Sequence, residues 1–333
     1  MHLNPIYPEQ TVLLAPLSGY TDIPFRRACR GQGCVYAFTP LIDAGGVIFG
    51  NPKTETALLR DDDESWLGMQ LLGSDPELLK RATSELMGRC RFNVIDFNMG
   101  CPVPKVLRRG AGAALSRNPE LAEKCLNAIV SETGEVPVSA KIRTVSETDA
   151  TATVELCRRL EALGVAALTV HGRVQERMYS GPVDVRGIAV VREALSIPVI
   201  ANGGISGYES AEWLRRETGC GRIMVARGAI GNPWLFRELF GEPDFSPSHE
   251  ELCEVMGEQV LGMFELYGDG RGMRNARKII LAYLVGRGYP RALRDRVRHL
   301  NTSEDFRLFH GELSATRPAT DSGDPLARKT FDQ

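Results

Sequence analysis

The chain has 333 residues, 43% hydrophobic and 25% charged, with 40 Lys and Arg against 42 Asp and Glu for a formal net charge of -2. This is the composition of an ordinary soluble globular protein; it excludes disorder throughout, collagen, coiled coil and a surface that is one continuous polyanion clamp. The length suits one large α/β domain of about 250 residues with a small companion. The thiols of Cys29, Cys34, Cys90, Cys101, Cys125, Cys157, Cys220 and Cys253 form no CxxC pair and no framework, so they are expected to be reduced, in a cytoplasmic setting. No run approaches about 18 apolar residues, and MHLNPIYPEQ lacks the regions of a secretory signal. The expected protein is neither membrane-spanning nor exported.

Eight short apolar, β-rich runs follow in chain order: VLLAP from Val12, VYAFT from Val35, LGMQL from Leu67, VIDFN from Val94, VSAKIR from Val138, ALTVH from Ala167, VIAN from Val199 and RIMVA from Arg222. Strands apolar on both faces belong in a parallel sheet covered by helices. Helical spacing fills the gaps, in PELLKRATSELMGRC from Pro76, PELAEKCLNAIVSE from Pro119 and TATVELCRRLEALG, which runs to Gly164; Pro at the first turn and Gly at the end are start and stop signals. Eight βα units in about 230 residues predict an α/β TIM (β/α)8 barrel. The first strand ends in Ala15-Pro16-Leu17-Ser18-Gly19 rather than GxGxxG, which argues against a doubly wound dinucleotide fold.

Past about residue 243 the strands stop. SPSHEELCEVMGEQVLGMFELYG and NARKIILAYLVGRG read as helices, and Arg271–Leu300 holds nine Lys and Arg against Asp295 alone, a local charge of about +8. Solvated helix faces usually mix signs, so an anionic partner is the better reading. TRPATDSGDPLARKTFDQ is polar and broken by Pro and Gly, as expected of a loose tail.

Barrel enzymes place chemistry where strands end. Here the ends supply Pro16, Thr39, Gln70, Asn98, Lys141 with Arg143, His171, Asn202, and Ala226 with Arg227. Thr39 has an adequate explanation as a turn former; the remainder converge on one mouth. The seventh and eighth strands run into Asn202-Gly203-Gly204 and Ala226-Arg227-Gly228, the two loops where barrels commonly hold phosphate. Lys141 leaves two chemistries open, a Schiff base or donation to an electron-rich ring. Cys101 sits between Gly100 and Pro102 just past the fourth strand, as a nucleophile or proton donor would, whereas the other seven cysteines read as small buried hydrophobes. His2, His249, His299 and His310 fall outside the barrel strands, so no metal is expected.

Together APLSGYTDIPFR (Ala15–Arg26), GMQLLGSDP (Gly68–Pro76), DFNMGCPVPKV (Asp96–Val106), RRGAGAAL (Arg108–Leu115), AKIR (Ala140–Arg143), HGR (His171–Arg173) and ANGGI (Ala201–Ile205) resemble the flavin-dependent tRNA-dihydrouridine synthases. The resemblance spans roughly residues 10 to 310. It implies an FMN-binding catalytic barrel over 1–243, a helical tRNA-binding domain over 244–316 and the loose tail over 317–333. FMN would lie across the mouth, with Pro16, Leu17, Ser18 and Gln70 near its ring. Lys141 and His171 would hydrogen-bond it, and Asn202, Gly203, Gly204, Ala226 and Arg227 would hold ribityl and phosphate. NADPH would be the electron donor and Cys101 would protonate C5 of a uracil as hydride reaches C6. Asn98, Arg143 and Tyr179 would orient the flipped-out base, and Arg274, Arg277 and Lys278 would grip tRNA phosphates. The chain departs from the family pattern at Gly204, where many relatives carry Asp, and at Leu17, where Met is common. A monomer is expected. Two alternatives stay open: an FMN barrel dehydrogenase acting on a free pyrimidine, and an RNA-binding relative without catalysis.

Overall fold

The computed structural model describes residues 6–319, so the predicted tail lies outside the described residues from 320 onward. All eight expected runs carry strand, and one short strand joins them. In chain order they are β1 (Val12–Leu14), β2 (Tyr36–Ala37), β3 (Ile42–Asp43), β4 (Gly68–Leu72), β5 (Val94–Met99), β6 (Val138–Arg143), β7 (Ala167–His171), β8 (Val199–Asn202) and β9 (Ile223–Val225). Every pairing is parallel, in the order β2-β1-β9-β8-β7-β6-β5-β4-β3. Phe38, one residue past β2, bridges in parallel to Gly68 of β4, and the Thr39 N–H donates to the Gly68 carbonyl at 2.8 Å. That bridge joins the two ends of the run, leaving eight strands around a TIM barrel with β3 added beside β4.

The helices begin where the sequence signals place them. Asp75 accepts from the Glu77 and Leu78 amides ahead of Pro76–Arg89, and Asn118 accepts from Leu121 ahead of Pro119–Val130, each with Pro in the first turn; Thr151–Ala162 follows the same apolar spacing. The short helices Ala44–Ile48 and Pro52–Leu58, like β3, were not foreseen; each has too few residues to show a period.

Strand alternation splits the barrel interior into layers. Leu13, Ala15, Phe38, Val94, Ala167, Ile200 and Met224 form an apolar cluster with Tyr7, against which Tyr36 and Trp66 pack. Their rings meet edge-on or tilted at 5.2–5.8 Å, a favourable geometry that closes the floor. Polar residues take over farther along the same inward faces.

The chain divides into two compact units. One contains residues up to Ser18 with Val35–Ala226, and the other contains Gly19–Cys34 with the chain from Arg227 onward. The second unit is helical, with Ile23–Gly31, His249–Tyr267, Asp269–Leu284 and Ser303–Ala315 enclosing Trp234, Met256, Tyr283, Phe306 and Phe309. Within it, the Tyr267 hydroxyl donates at 2.9 Å to Asp22, which caps Ile23–Gly31. No described helix is long and apolar enough to cross a membrane.

Gly68 leaves no room for a side chain: a Cβ there would stand 2.5 Å from the Phe38 ring and 2.9 Å from Val94. Gly68→Ala is therefore expected to lower unfolding free energy by about 1–3 kcal/mol through overpacking at the barrel junction, read as a lower urea midpoint with an unchanged slope.

Candidate active site at the barrel mouth

Parallel register decides which strand ends are neighbours. Gln70 lies beside Asp96, Asn98 beside Lys141, Arg143 beside His171, and His171 beside Asn202. Because side chains alternate in and out, Asp96 and Asn98 share the inward face of β5, and Ser139, Lys141 and Arg143 share that of β6. The Lys141 Nζ donates to Asn202 Oδ1 at 2.8 Å, and Asn202 Nδ2 donates to the Met224 carbonyl at 2.7 Å.

Beneath this rim runs a buried polar chain. The Ser139 hydroxyl donates to Asp96 Oδ1 at 2.7 Å, Gln70 Nε2 to Asp96 Oδ2 at 2.7 Å, and Asn98 Nδ2 to Gln70 Oε1 at 2.7 Å. Asn98 Oδ1 in turn accepts from the backbone amides of Gly100 (3.2 Å) and Cys101 (3.0 Å). Thr39 Oγ1 accepts from the Gln70 amide at 3.3 Å, a more specific task than turn forming. Asp96 and Ser139 were missed in the sequence, although Asp96 precedes Asn98 by the two residues that place both on one strand face.

Cys101 is held from both sides. The Ala113 N–H donates to its carbonyl at 3.0 Å, and Gly112, at φ +62°, comes so close that a Cβ would stand 2.7 Å from that oxygen. This explains the glycine in RRGAGAAL: only a residue without a side chain fits there in a left-handed conformation. Burial pushes the Cys101 thiol above its ordinary value, against the opposing pull of the Val103 amide and Arg143. The thiol therefore carries its proton at neutral pH.

Arg143 is buried and largely committed to the backbone. Its Nε donates to the Gly100 carbonyl at 2.7 Å, while Nη1 reaches the carbonyls of Arg173, Val174 and Met178 at 3.3, 3.3 and 2.7 Å. One side chain thus ties the turn before Cys101 to the loop after β7. Met178 in that loop has φ +52°, a conformation unusual for a side-chain-bearing residue and supported here by the short bond to its carbonyl. Tyr179 follows, exposed, with the Arg143 guanidinium 5.5 Å from its ring centre. Arg173 Nη1 approaches His171 Nε2 at 3.4 Å; because Arg can only donate, a hydrogen bond between them has Nε2 as its acceptor.

Pro16, Leu17 and Ser18 follow β1, whose end is tied to β9 by the Ala15 N–H donating to the Val225 carbonyl at 2.7 Å. Gly203 and Gly204 follow β8 with φ +133° and +70°, and among the described residues neither amide donates to a backbone carbonyl. Ala226 is the last residue of the first unit, and Arg227 opens the second in a short 3-10 turn. In that second unit, Arg274, Arg277 and Lys278 share the helix Asp269–Leu284. Arg274 is exposed, whereas Arg277 donates to the Leu300 carbonyl and Asn301, and Lys278 to the Gly19 carbonyl. A cleft of about 930 Å³ between helices Thr151–Ala162 and Val185–Ala194 is lined by Arg158, Arg159, Glu147 and Glu155 and by none of the strand-end residues.

The ammonium of Lys141 is destabilised by burial and by Arg143, against the attraction of Asp96, which lowers its pKa from 10.5 to about 7. A lowered base costs native stability wherever it is charged: the cost is absent above about 10.5 and complete below about 7. Lys141→Met is therefore expected to raise the urea midpoint at pH 7, by on the order of 1 kcal/mol after screening at the open mouth. The gain over the parent shrinks as pH approaches 10, and equal shifts at both pH values would show that the charge is not its source.

Comparisons with known proteins bear on this constellation. The family model described as Dihydrouridine synthase (Dus) matches residues 13–317. The tRNA-dihydrouridine synthase B of Pasteurella multocida is 36% identical over 283 residues, covering 84% of this chain and 85% of that protein. The synthase B of Shewanella oneidensis is 35% identical over 289 residues, covering 85% and 89%. Among solved structures, TcOYE with pHBA aligns with a TM-score of 0.53 at 11% identity over 72% of this chain and 91% of that one, a likeness of fold alone. Family match, relatives and strand-end residues agree, and the chain belongs to the dihydrouridine synthase family.

Proposed function

We propose that this chain reduces the C5=C6 bond of a uridine in tRNA to 5,6-dihydrouridine, with FMN as cofactor, NADPH as electron donor and Cys101 as proton donor. The observation that carries this reading is the Cys101 thiol, kept protonated and fixed in a turn at the rim of a mouth lined by amide and ammonium donors. Family membership and the synthase B relatives support the substrate.

The residues fit a flavin phosphate. At Gly203 and Gly204 an added Cβ would press within 3.1–3.2 Å of His171 or Val183, so this loop offers bare backbone amides, as an oxyanion requires. Asn202 and Lys141 stand beside it, Gln70 and His171 would complete the donor set around the ring, Pro16, Leu17 and Ser18 would border it, and Ala226 and Arg227 would extend the phosphate-binding segment. FMN held there would supply hydride for C6, with NADPH as its reductant.

The chain's own task is the proton and the pose. Cys101 Sγ gives its proton to C5 and is reprotonated from solvent, so uridine, NADPH and one proton become dihydrouridine and NADP⁺. A thiol suits this step because it still holds its proton near pH 7 yet releases it readily to a developing carbanion. Asn98 has spent one amide N–H on Gln70 and offers the other to the polar edge of the base. Arg143 and Tyr179 form the adjoining wall. A base in folded RNA reaches such a mouth only when splayed out of its stack. The second unit supplies phosphate contacts through the exposed members of its basic segment, Arg274 among them, while Arg277 and Lys278 mainly brace that segment. A tRNA substrate places the enzyme in the cytoplasm.

The decisive experiment is anaerobic. Protein bleached by NADPH should regain flavin absorbance on addition of unmodified tRNA and not of free uracil; recovery with uracil alone would identify a free-pyrimidine dehydrogenase. Cys101→Ala should bind tRNA normally and lose about 10²–10⁴ in the reoxidation rate, and turnover at the parent rate would remove the thiol from the reaction.

A further inference from the structure

We infer that Asp96 is a positioning residue for Cys101, acting from inside the barrel through the side-chain amides of Gln70 and Asn98. The inference rests on the reading of Cys101 as the proton donor. An amide side chain has an oxygen at one end and an NH2 at the other, and either can face a given neighbour. A carboxylate has no such freedom, since when ionised it only accepts. Asp96 Oδ1 is taken by the Ser139 hydroxyl, and Oδ2 faces Gln70, which must therefore present Nε2. Gln70 Oε1 then points at Asn98, which must present Nδ2. Asn98 Oδ1 is left to face the amides of Gly100 and Cys101. Reversing either amide sets like against like at two consecutive stations, acceptor against acceptor on one side and donor against donor on the other. The polarity of the chain is thus set from inside by one acceptor-only group, in agreement with the backbone N–H donors at the rim, and Asn98 Oδ1 is held on the Cys101 turn between them.

The surroundings are arranged to keep that group in place. Asp96 is fully enclosed, and burial pushes its carboxyl up to about 6, while the bonds from Gln70 and Ser139 and the charge of Lys141 pull it back. It therefore remains mainly ionised at neutral pH. An isolated carboxylate at this depth would be costly; both of its oxygens are satisfied, by Ser139 and Gln70. A continuous chain of hydrogen bonds runs from Ser139 through Asp96, Gln70 and Asn98 to the Cys101 amide.

Alkylation of Cys101 by iodoacetamide, resolved by peptide mass spectrometry on the full flavin-loaded chain, tests this. Cys90 serves as internal control, being partly accessible at the opposite end of β5. Asp96→Leu keeps the branched outline, with larger methyl ends, and removes the acceptor. It should speed Cys101 alkylation at least about fivefold, the least expected from one lost buried hydrogen bond, with Cys90 unchanged. Asp96→Asn should stay near the parent rate, because its Oδ1 accepts from Gln70 while its Nδ2 donates to the Ser139 oxygen. Gln70→Met, which cuts the chain with Asp96 intact, should reproduce the rise and substitutes if Asp96→Leu does not fold. An unchanged Cys101 rate in the cut variants, a parallel rise at Cys90, or failure of Asp96→Asn to rescue would each overturn the inference. Alkylation reports where the thiol sits rather than what it does, so this result is separable from whether uridine is reduced.

Discussion

The site depends on parallel register. In a barrel whose strands all run one way, their C-terminal ends form one ring, and the hydrogen-bond ladder decides which ends touch. Asn98 meets Lys141, and His171 stands between Arg143 and Asn202. A slip of one residue on β6 would turn Ser139, Lys141 and Arg143 outward together. What holds register is the apolar layer below: Val94, Ala167, Ile200 and Met224 fill the interior only when they share one face. Packing at the floor therefore places polar atoms at the rim.

The interior pays unequally for its two halves. The floor, plugged by Tyr7, Tyr36 and Trp66, gains from burial and ring packing. The rim encloses Asp96 and crowds Lys141, and both lean toward their neutral forms because charge is poorly solvated there. Neither group favours folding through its charge; each is kept where an oriented donor or acceptor is needed, as is common where a structure carries a function.

Arg143 shows how a buried cation serves without free solvent contact. By donating to carbonyls on two separate loops it couples the Cys101 turn to the segment carrying Met178 and Tyr179. Loops are the mobile parts of a barrel and carry its chemistry. Two of them fastened by one planar, permanently charged group move less independently than two tied by water.

Much of this was legible before folding. The eight runs from Val12 to Val225 announce themselves because strands buried on both faces must be short and apolar, and Pro76 and Pro119 mark helix starts through local sterics alone. Cys101, Lys141, His171 and Asn202 stood out as polar residues ending apolar runs. Asp96 and Ser139 did not, because a polar residue inside a strand reads as noise until the partner satisfying it is known, and those partners lie 26 and 43 residues apart in the chain. The reason for Gly112 was likewise hidden, since it lies in the approach of its backbone to that of Cys101. Arg277 and Lys278 looked like free charge in a basic run, yet their hydrogen bonds to Leu300 and Gly19 exist only once the second unit is packed. Sequence alone determined the period, the strand ends and the residue types available for chemistry, because these follow from local sterics and hydrophobicity. Only tertiary structure decided which donor meets which acceptor, because hydrogen bonding acts over about 3 Å and the chain brings distant residues that close only by folding.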